Sequence, residues 1–283
     1  MSFITFKNKL LQVIEVAKFR KWFETEMMLK SPVTIFREHS LITTVPLFDT
    51  SNVTSFEEMF YYCTSLKSVP LFNTSNAETL YRMFYSCYAL ETVPNFDTSK
   101  VTNFGYMFQN CAALKNAPNI DVSNGTSFSN MFYNCSQLES LTLNIKPQEA
   151  NQSLNYFVYG CSNLKSVYLG DTSGVTNFGS AFYNCTALET ISKLDLSSVT
   201  SANMLRYIFR ECTALKNVSF EPECIYWSLS VPCANLTTES IQSLIDGLGT
   251  PDTQMKLTLH SDIVTALTDE QMITISNKNW SVL

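Results

Sequence analysis

Nine cysteines and two histidines are the side chains of this chain best suited to bind a metal, close a disulfide or act as nucleophiles. Seven of the cysteines, Cys63, Cys87, Cys111, Cys135, Cys161, Cys185 and Cys212, are spaced by 24, 24, 24, 26, 24 and 27 residues, and a leucine follows each one three residues later. Zinc needs thiolates and imidazoles at close spacing, but no C-x-x-C occurs and only His39 and His260 are available. A nucleophilic triad needs a histidine base held by an acid, and both histidines lie outside the regular units. With eight glycines in the chain, neither a P-loop nor a G-x-G-x-x-G is present. Paired carboxylates such as Glu57 and Glu58 read as a solvated face. These residues predict no enzyme, no metal and no cofactor, and they redirect attention to the period itself.

A period in the twenties means one short supersecondary unit per repeat, which buries its apolar side only against its neighbours. Three consecutive units read FDTSNVTSFEEMFYYCTSLKSVPL (48–71), FNTSNAETLYRMFYSCYALETVPN (72–95) and FDTSKVTNFGYMFQNCAALKNAPN (96–119). Apolar residues stand seven, four and three positions before each cysteine, as in Phe56, Met59, Phe60 and Cys63. That is i, i+3, i+4, i+7, the face of a helix about two turns long. The seven cysteines are therefore expected to point inward as reduced core thiols, with Thr54, Thr102, Thr126 and Thr176 capping the helices. Cys224 and Cys233 are the two open to pairing, and Cys233-Ala-Asn-Leu236 reads as a degenerate eighth unit.

After the cysteine, Leu-x-x-Val segments such as Leu66 to Val69 read as strands that stack into a parallel sheet. Pro70, Pro94 and Pro118 share one column and cannot donate to a ladder, so pairing there should be narrow. One residue past the leucine the charges alternate: Lys67, Glu91, Lys115, Glu139, Lys165, Glu189, Lys216. Neighbouring opposite charges set register, and their alternation leaves little net field for an ionic ligand. Two candidate binding patches remain. Tyr61, Tyr85, Tyr133, Tyr159 and Tyr183 form a column two positions before the cysteine, interrupted by Gln109 and Arg210, where the rings either pack between coils or meet a protein or glycan. Pro70, Pro94, Pro118 and Tyr168 form a second patch on the sheet side.

The expected architecture is an α/β solenoid, a leucine-rich-repeat-like stack with a narrow parallel sheet on one side and short helices on the other. Residues 1–40 form a helical cap or anchor, with an amphipathic helix over Lys9 to Leu29. Residues 41–236 form the stack, and 237–283 an α/β cap with helices at Thr238–Leu248 and Thr268–Asn277 and strands at Met255–His260 and Trp280–Leu283. Two breaks in the period, at 145–153 and 198–207, should bulge.

The net charge of −6 is uneven, at +3 over residues 1–40 and −9 over the remainder. No basic stripe runs along the repeats, which argues against nucleic acid. No transmembrane segment or secretory leader is read in the sequence. Asn52, Asn124, Asn134 and Asn184 begin glycosylation sequons that arise as by-products of the repeat.

From about residue 42 to 236 the units resemble the BspA-like leucine-rich repeat family, through D49-T-S-N-V-T54, M59-F60 and C63-T-S-L66. The segment from L236-T-T-E-S to N277-K-N-W280 is similar to a C-terminal module of bacteriophage and prophage structural proteins, and T34-I-F-R-E-H-S is more loosely similar to their leader. These resemblances imply a non-enzymatic virion component near tail or fibre proteins, serving attachment or assembly. Its partners would be other virion proteins and a host-surface protein or glycan, with a homo-oligomer through a terminal region. The alternative is a bacterial cell-surface or secreted repeat adhesin.

Overall fold

The computed structural model describes residues 36–148 and 151–283. The helix expected over Lys9 to Leu29 lies outside those residues. The described chain is a stack of coils joined by parallel ladders. Strands β1 (Ser140–Ile145), β3 (Ser166–Gly170) and β5 (Thr190–Ile191) form one parallel sheet in the order β1-β3-β5. It is continued by single bridges at Ser68–Thr92, Asn116–Ser140 and Thr190–Asn217. The longest strand follows the coils that carry Pro70, Pro94 and Pro118, where pairing shrinks to bridges. A second ladder runs through Ser55, Thr79, Asn103, Ser127 and Ser153 into β2 (Gln152–Ser153) and β4 (Val175–Asn177).

The side opposite the first sheet is not helical. Among the described residues every α-helix lies beyond residue 237, and the expected repeat helices are replaced by a ladder of turns. In the coil ending at Cys63, alternate N–H groups pair differently. Phe56, Glu58, Phe60 and Tyr62 donate to carbonyls of the next coil, those of Thr79, Tyr81, Met83 and Tyr85, at 2.8–3.1 Å. Met59, Tyr61 and Cys63 donate within the coil to the carbonyl three residues back, at 3.0–3.3 Å. The one remaining donor, Glu57 N–H, meets the Ser55 hydroxyl at 3.3 Å. Each backbone donor from Phe56 to Cys63 has a partner, and none uses the i−4 carbonyl of a helix.

Such turns require left-handed backbone one and five residues before the cysteine. Glu58 and Tyr62 have φ of 55° and 57°, Arg82 and Ser86 of 53° and 59°, and Asn130 and Asn134 of 57° each. Gly160, Asn110 and Asn184 fall on the same column, residue types that tolerate this region. The inward set survives the change of backbone: Phe56, Met59, Phe60, Cys63 and their equivalents are fully buried. Phe36, Phe60, Phe84, Phe108 and Phe132 stack ring on ring at 5.2–5.6 Å along the axis.

The D-T-S-x-V-T motif has one task per residue. The aspartate accepts from the serine two residues on, as Asp49 Oδ1 does from Ser51 N–H at 2.9 Å. The threonine is buried and donates to the next coil, Thr50 to Asn73 O at 2.8 Å and Thr98 to Asp121 O at 2.7 Å. The valine enters the core. The final threonine caps no helix; Thr102, Thr126 and Thr176 donate to the preceding coil instead.

The charge column lies on the sheet ladder. Lys67 meets Glu91 and Lys216 meets Glu189, each at 3.2 Å and well exposed. Backbone bonds tie the intervening members, Glu139 N–H to Lys115 O at 3.2 Å and Lys165 N–H to Glu139 O at 2.9 Å.

Both ends of the described chain belong to the same stack. Glu38, with φ of 64°, donates to Tyr61 O at 2.7 Å, so Phe36 to Ser40 is a coil in which His39 stands where later coils have cysteine. From residue 229 onward, β6 (Leu229–Val231), β7 (Met255–Leu259) and β8 (Trp280–Val282) form a parallel sheet, joined by helices α1 (Thr238–Gly247), α2 (Ser261–Ala266) and α3 (Asp269–Asn277). Thr268 and Gln271 form the expected capping box. Lys278 Nζ donates to the carbonyls of Ile245, Asp246 and Leu248 at 2.7–3.2 Å and closes the end of α1. The segment expected to be an α/β cap thus continues the stack, now with true helices on the outer side. Of the two breaks, the second holds a 3-10 helix, Ala202–Leu205. At the first, Gln152 is buried and its amide donates to Gly125 O and Lys146 O at 2.8 Å each.

Candidate functional site

The turn ladder carries an aromatic surface. Tyr61 stacks on Tyr85 at 4.9 Å, Tyr133 on Tyr159 at 4.6 Å, and Tyr159 on Tyr183 at 4.8 Å, with interplanar angles of 19°, 4° and 8°. These five rings are half-buried. They cover one another's faces and leave edges and hydroxyls to solvent, so packing between coils and exposure coexist. Gln109 fills the gap in the column and donates to the Tyr85 hydroxyl at 3.4 Å. Tyr62, one residue before its cysteine, and Tyr156 and Tyr207, each five before theirs, flank the column at 38–39% exposure.

Arginine completes this face. Arg37 lies 4.8 Å from the Tyr61 ring centre, Arg82 lies 4.9 Å from Tyr81 and 5.1 Å from Tyr106, and Arg210 lies 5.7 Å from Tyr183. Arg206 stands 4.5 Å from Tyr207. Every arginine among the described residues therefore rests on a tyrosine of this one face. Glu58 accepts from both Arg37 and Arg82 and neutralises that end. Tyr81 and Tyr85 are pushed above the usual phenol range, first by burial, so these phenols are neutral and act as donors and acceptors.

The other candidate patch is elsewhere. Tyr168 projects from β3 at 52% exposure, Pro70 and Pro94 are half-buried, and Pro118 is buried. The proline column sits on the sheet side, away from the tyrosine column, and forms no continuous surface with it.

The cysteines form an internal ladder. Each of the seven repeat thiols donates to the carbonyl of the phenylalanine or valine residue in the coil before: Cys63 to Phe36 O at 2.8 Å, Cys87 to Phe60 O at 3.1 Å, Cys111 to Phe84 O at 3.1 Å, Cys185 to Val158 O at 3.1 Å. All nine cysteines are free and buried, Cys224 and Cys233 included. Burial pushes the Cys63 and Cys233 thiols up to about 12 and Cys224 to about 11. Among the described residues no group of three or more His, Cys, Asp and Glu is placed to hold a metal ion, and no helix is long and apolar enough to cross a membrane.

The tyrosines were legible as a column of spaced rings. The arginines were missed because they enter from different positions, two, five or six residues before the cysteine, and only the folded turn ladder brings them together. Their residue type beside tyrosine, as in Tyr81-Arg82 and Arg206-Tyr207, was the available signal.

Residues 12–145 match a family described as Mycoplasma protein of unknown function. Residues 129–249 match the BspA type leucine-rich repeat region in six copies. No curated protein matches the chain. Among solved structures, a leucine-rich repeat protein of T. pallidum is similar over 85% of this chain and 84% of its own, at 16% identity and a TM-score of 0.36. A leucine-rich cell surface protein from Faecalibacterium prausnitzii A2-165 is similar over 63% of this chain and 59% of its own, at 22% identity and a TM-score of 0.29. Neither matching family is described as a phage component. Over residues 129–249 the repeats are accordingly similar to the BspA leucine-rich type.

Proposed function

We propose that this protein is a non-enzymatic repeat adhesin, displayed at a bacterial cell surface, which binds a host protein or glycan through its turn face. The observation that carries this reading is the run of tyrosines and arginines along the turn ladder from Arg37 to Arg210, interrupted at Gln109. Tyrosine and arginine are the side chains richest in contact energy at recognition surfaces, because each offers large area with few rotatable bonds or a fixed fork of donors. Stacking already immobilises these rings, so ordering them on contact costs little. The virion reading drew on a resemblance of the C-terminal segment to phage proteins, and neither matching family adds support to it.

Surface display is tested by treating intact bacteria that make the protein with a membrane-impermeant, lysine-reactive biotin reagent. Exposed Lys67 and Lys216 should be labelled before lysis. Labelling that appears only after lysis would contradict the reading.

A further inference from the structure

The coil ending at Cys212 departs from the others, and its departure builds a cleft. Three extra residues near Ser201 to Met204 form the 3-10 helix and set Arg206 beside Tyr207, where its Nη2 donates to the phenol oxygen at 2.7 Å. Arg210 lies 5.0 Å from the same ring. Below them a cleft of about 360 Å³ is lined by Tyr207, Arg210, Glu211, Thr213, Ser230 and Pro232. Unlike Arg37 and Arg82, which share Glu58, Arg206 has no ion-pair partner among the described residues, and Arg210 reaches only Glu211, at 3.8 Å. The Tyr207 phenol is held below its usual range by the hydrogen bond from Arg206 and by the charges of Arg206 and Arg210.

We infer that this cleft binds a sugar acid of the hexuronate kind, its carboxylate on Arg210 of the lining and on Arg206, which stands outside the lining beside Tyr207, and its ring against Tyr207. Two guanidinium groups short of acidic partners supply the fork that a carboxylate fits. Tyr207 is 39% exposed, and the part of its ring that Arg206 and Arg210 leave open offers an apolar contact. Thr213 and Ser230 provide hydroxyl partners, and Glu211 can accept from sugar hydroxyls. The volume lies at the small end of the range for small-molecule sites, suited to one or two sugar rings. A polyacidic peptide fits less well, because Glu211 in the wall and the chain's net charge of −6 repel repeated negative charge. The inference deepens the adhesin reading and rests on the turn face being a binding surface.

Saturation-transfer NMR on the full chain tests it, with D-glucuronic acid as probe, D-glucose as neutral control and a triglutamate peptide as acidic control. Transfer to glucuronate is expected, with little to glucose or peptide. Arg206→Gln with Arg210→Gln should weaken it at least about tenfold, the loss of charge-assisted bonds, with the unfolding midpoint unchanged. Tyr207→Asn, which suits the left-handed backbone at φ 62°, should also reduce it. Transfer that is absent, equal for glucose, stronger for the peptide or indifferent to both arginines would overturn the assignment. Tyr85 and Tyr159 are not part of the cleft lining. Their variants should leave glucuronate binding intact, so failure of the sugar site and failure of the wider face give separate results.

Discussion

A thiol donating into a carbonyl explains why cysteine recurs where a small apolar residue would fill the space. Cys111 is fully buried, and its Sγ lies 3.1 Å from Phe84 O, a carbonyl that also accepts from Cys87 N–H. Cys111→Ala removes that donor and leaves a small cavity, and should cost about 1–3 kcal/mol in urea denaturation. An unchanged stability would remove the ladder's role. The aspartates of the D-T-S motif act through a different group. Asp49 and Asp121 are held below the ordinary carboxylate range by the backbone N–H and hydroxyl of the serine two residues on, and Asp97 by the Ser99 hydroxyl and N–H. Depressed folded-state values mean that this stabilisation is present above the unfolded value near pH 4 and is lost as pH falls through the folded values. Replacing Asp49, Asp97 and Asp121 with asparagine should flatten that acid limb while keeping the turn, since Asn73 already makes it at 3.2 Å. An acid limb as steep as before would contradict this origin.

At the scale of the element, the repeat face shows which part of a periodic pattern carries information. Residues at i, i+3, i+4 and i+7 point inward in a helix, and they do so equally in this turn ladder, so burial of Phe104, Met107, Phe108 and Cys111 was readable while the backbone was not. The deciding bonds run between coils, 23 residues apart in most units, as Phe60 N–H to Met83 O does at 2.9 Å, and no local pattern reveals them. Two columns held a usable signal: Asn110, Asn134, Gly160 and Asn184 before the cysteine, and Ser55, Thr79 and Asn103 at the start of the turns. Beyond residue 237 both strands and two of the three helices were legible because caps and periodicity there are local, whereas the six-residue helix Ser261–Ala266 is too short to show a period. Asn184 separates the two backbones cleanly, with φ of 58° and its N–H bonded to Arg210 O at 2.9 Å. In a helix, Asn184→Ala would stabilise and Asn184→Gly would destabilise. In the turn ladder the order reverses: alanine should cost about 1 kcal/mol and glycine nothing or less. Thermal unfolding of the two variants decides between them.

For the whole molecule, coils from Phe36 to Trp280 share one core and present two unlike surfaces. The sheet side alternates Lys and Glu, which fixes register and cancels charge. The turn side gathers the four described arginines and the stacked tyrosines, and it is the surface on which the adhesin reading depends. Its most direct test compares binding of the purified protein to cultured epithelial cells with that of a variant carrying Tyr85→Ser, Tyr133→Ser and Tyr159→Ser, measured by flow cytometry at matched folding. The account predicts saturable binding by the parent and its loss, by about tenfold or more, in the variant, as for removal of a set of aromatic contact residues. Equal binding by both proteins, with the variant folded, would contradict it.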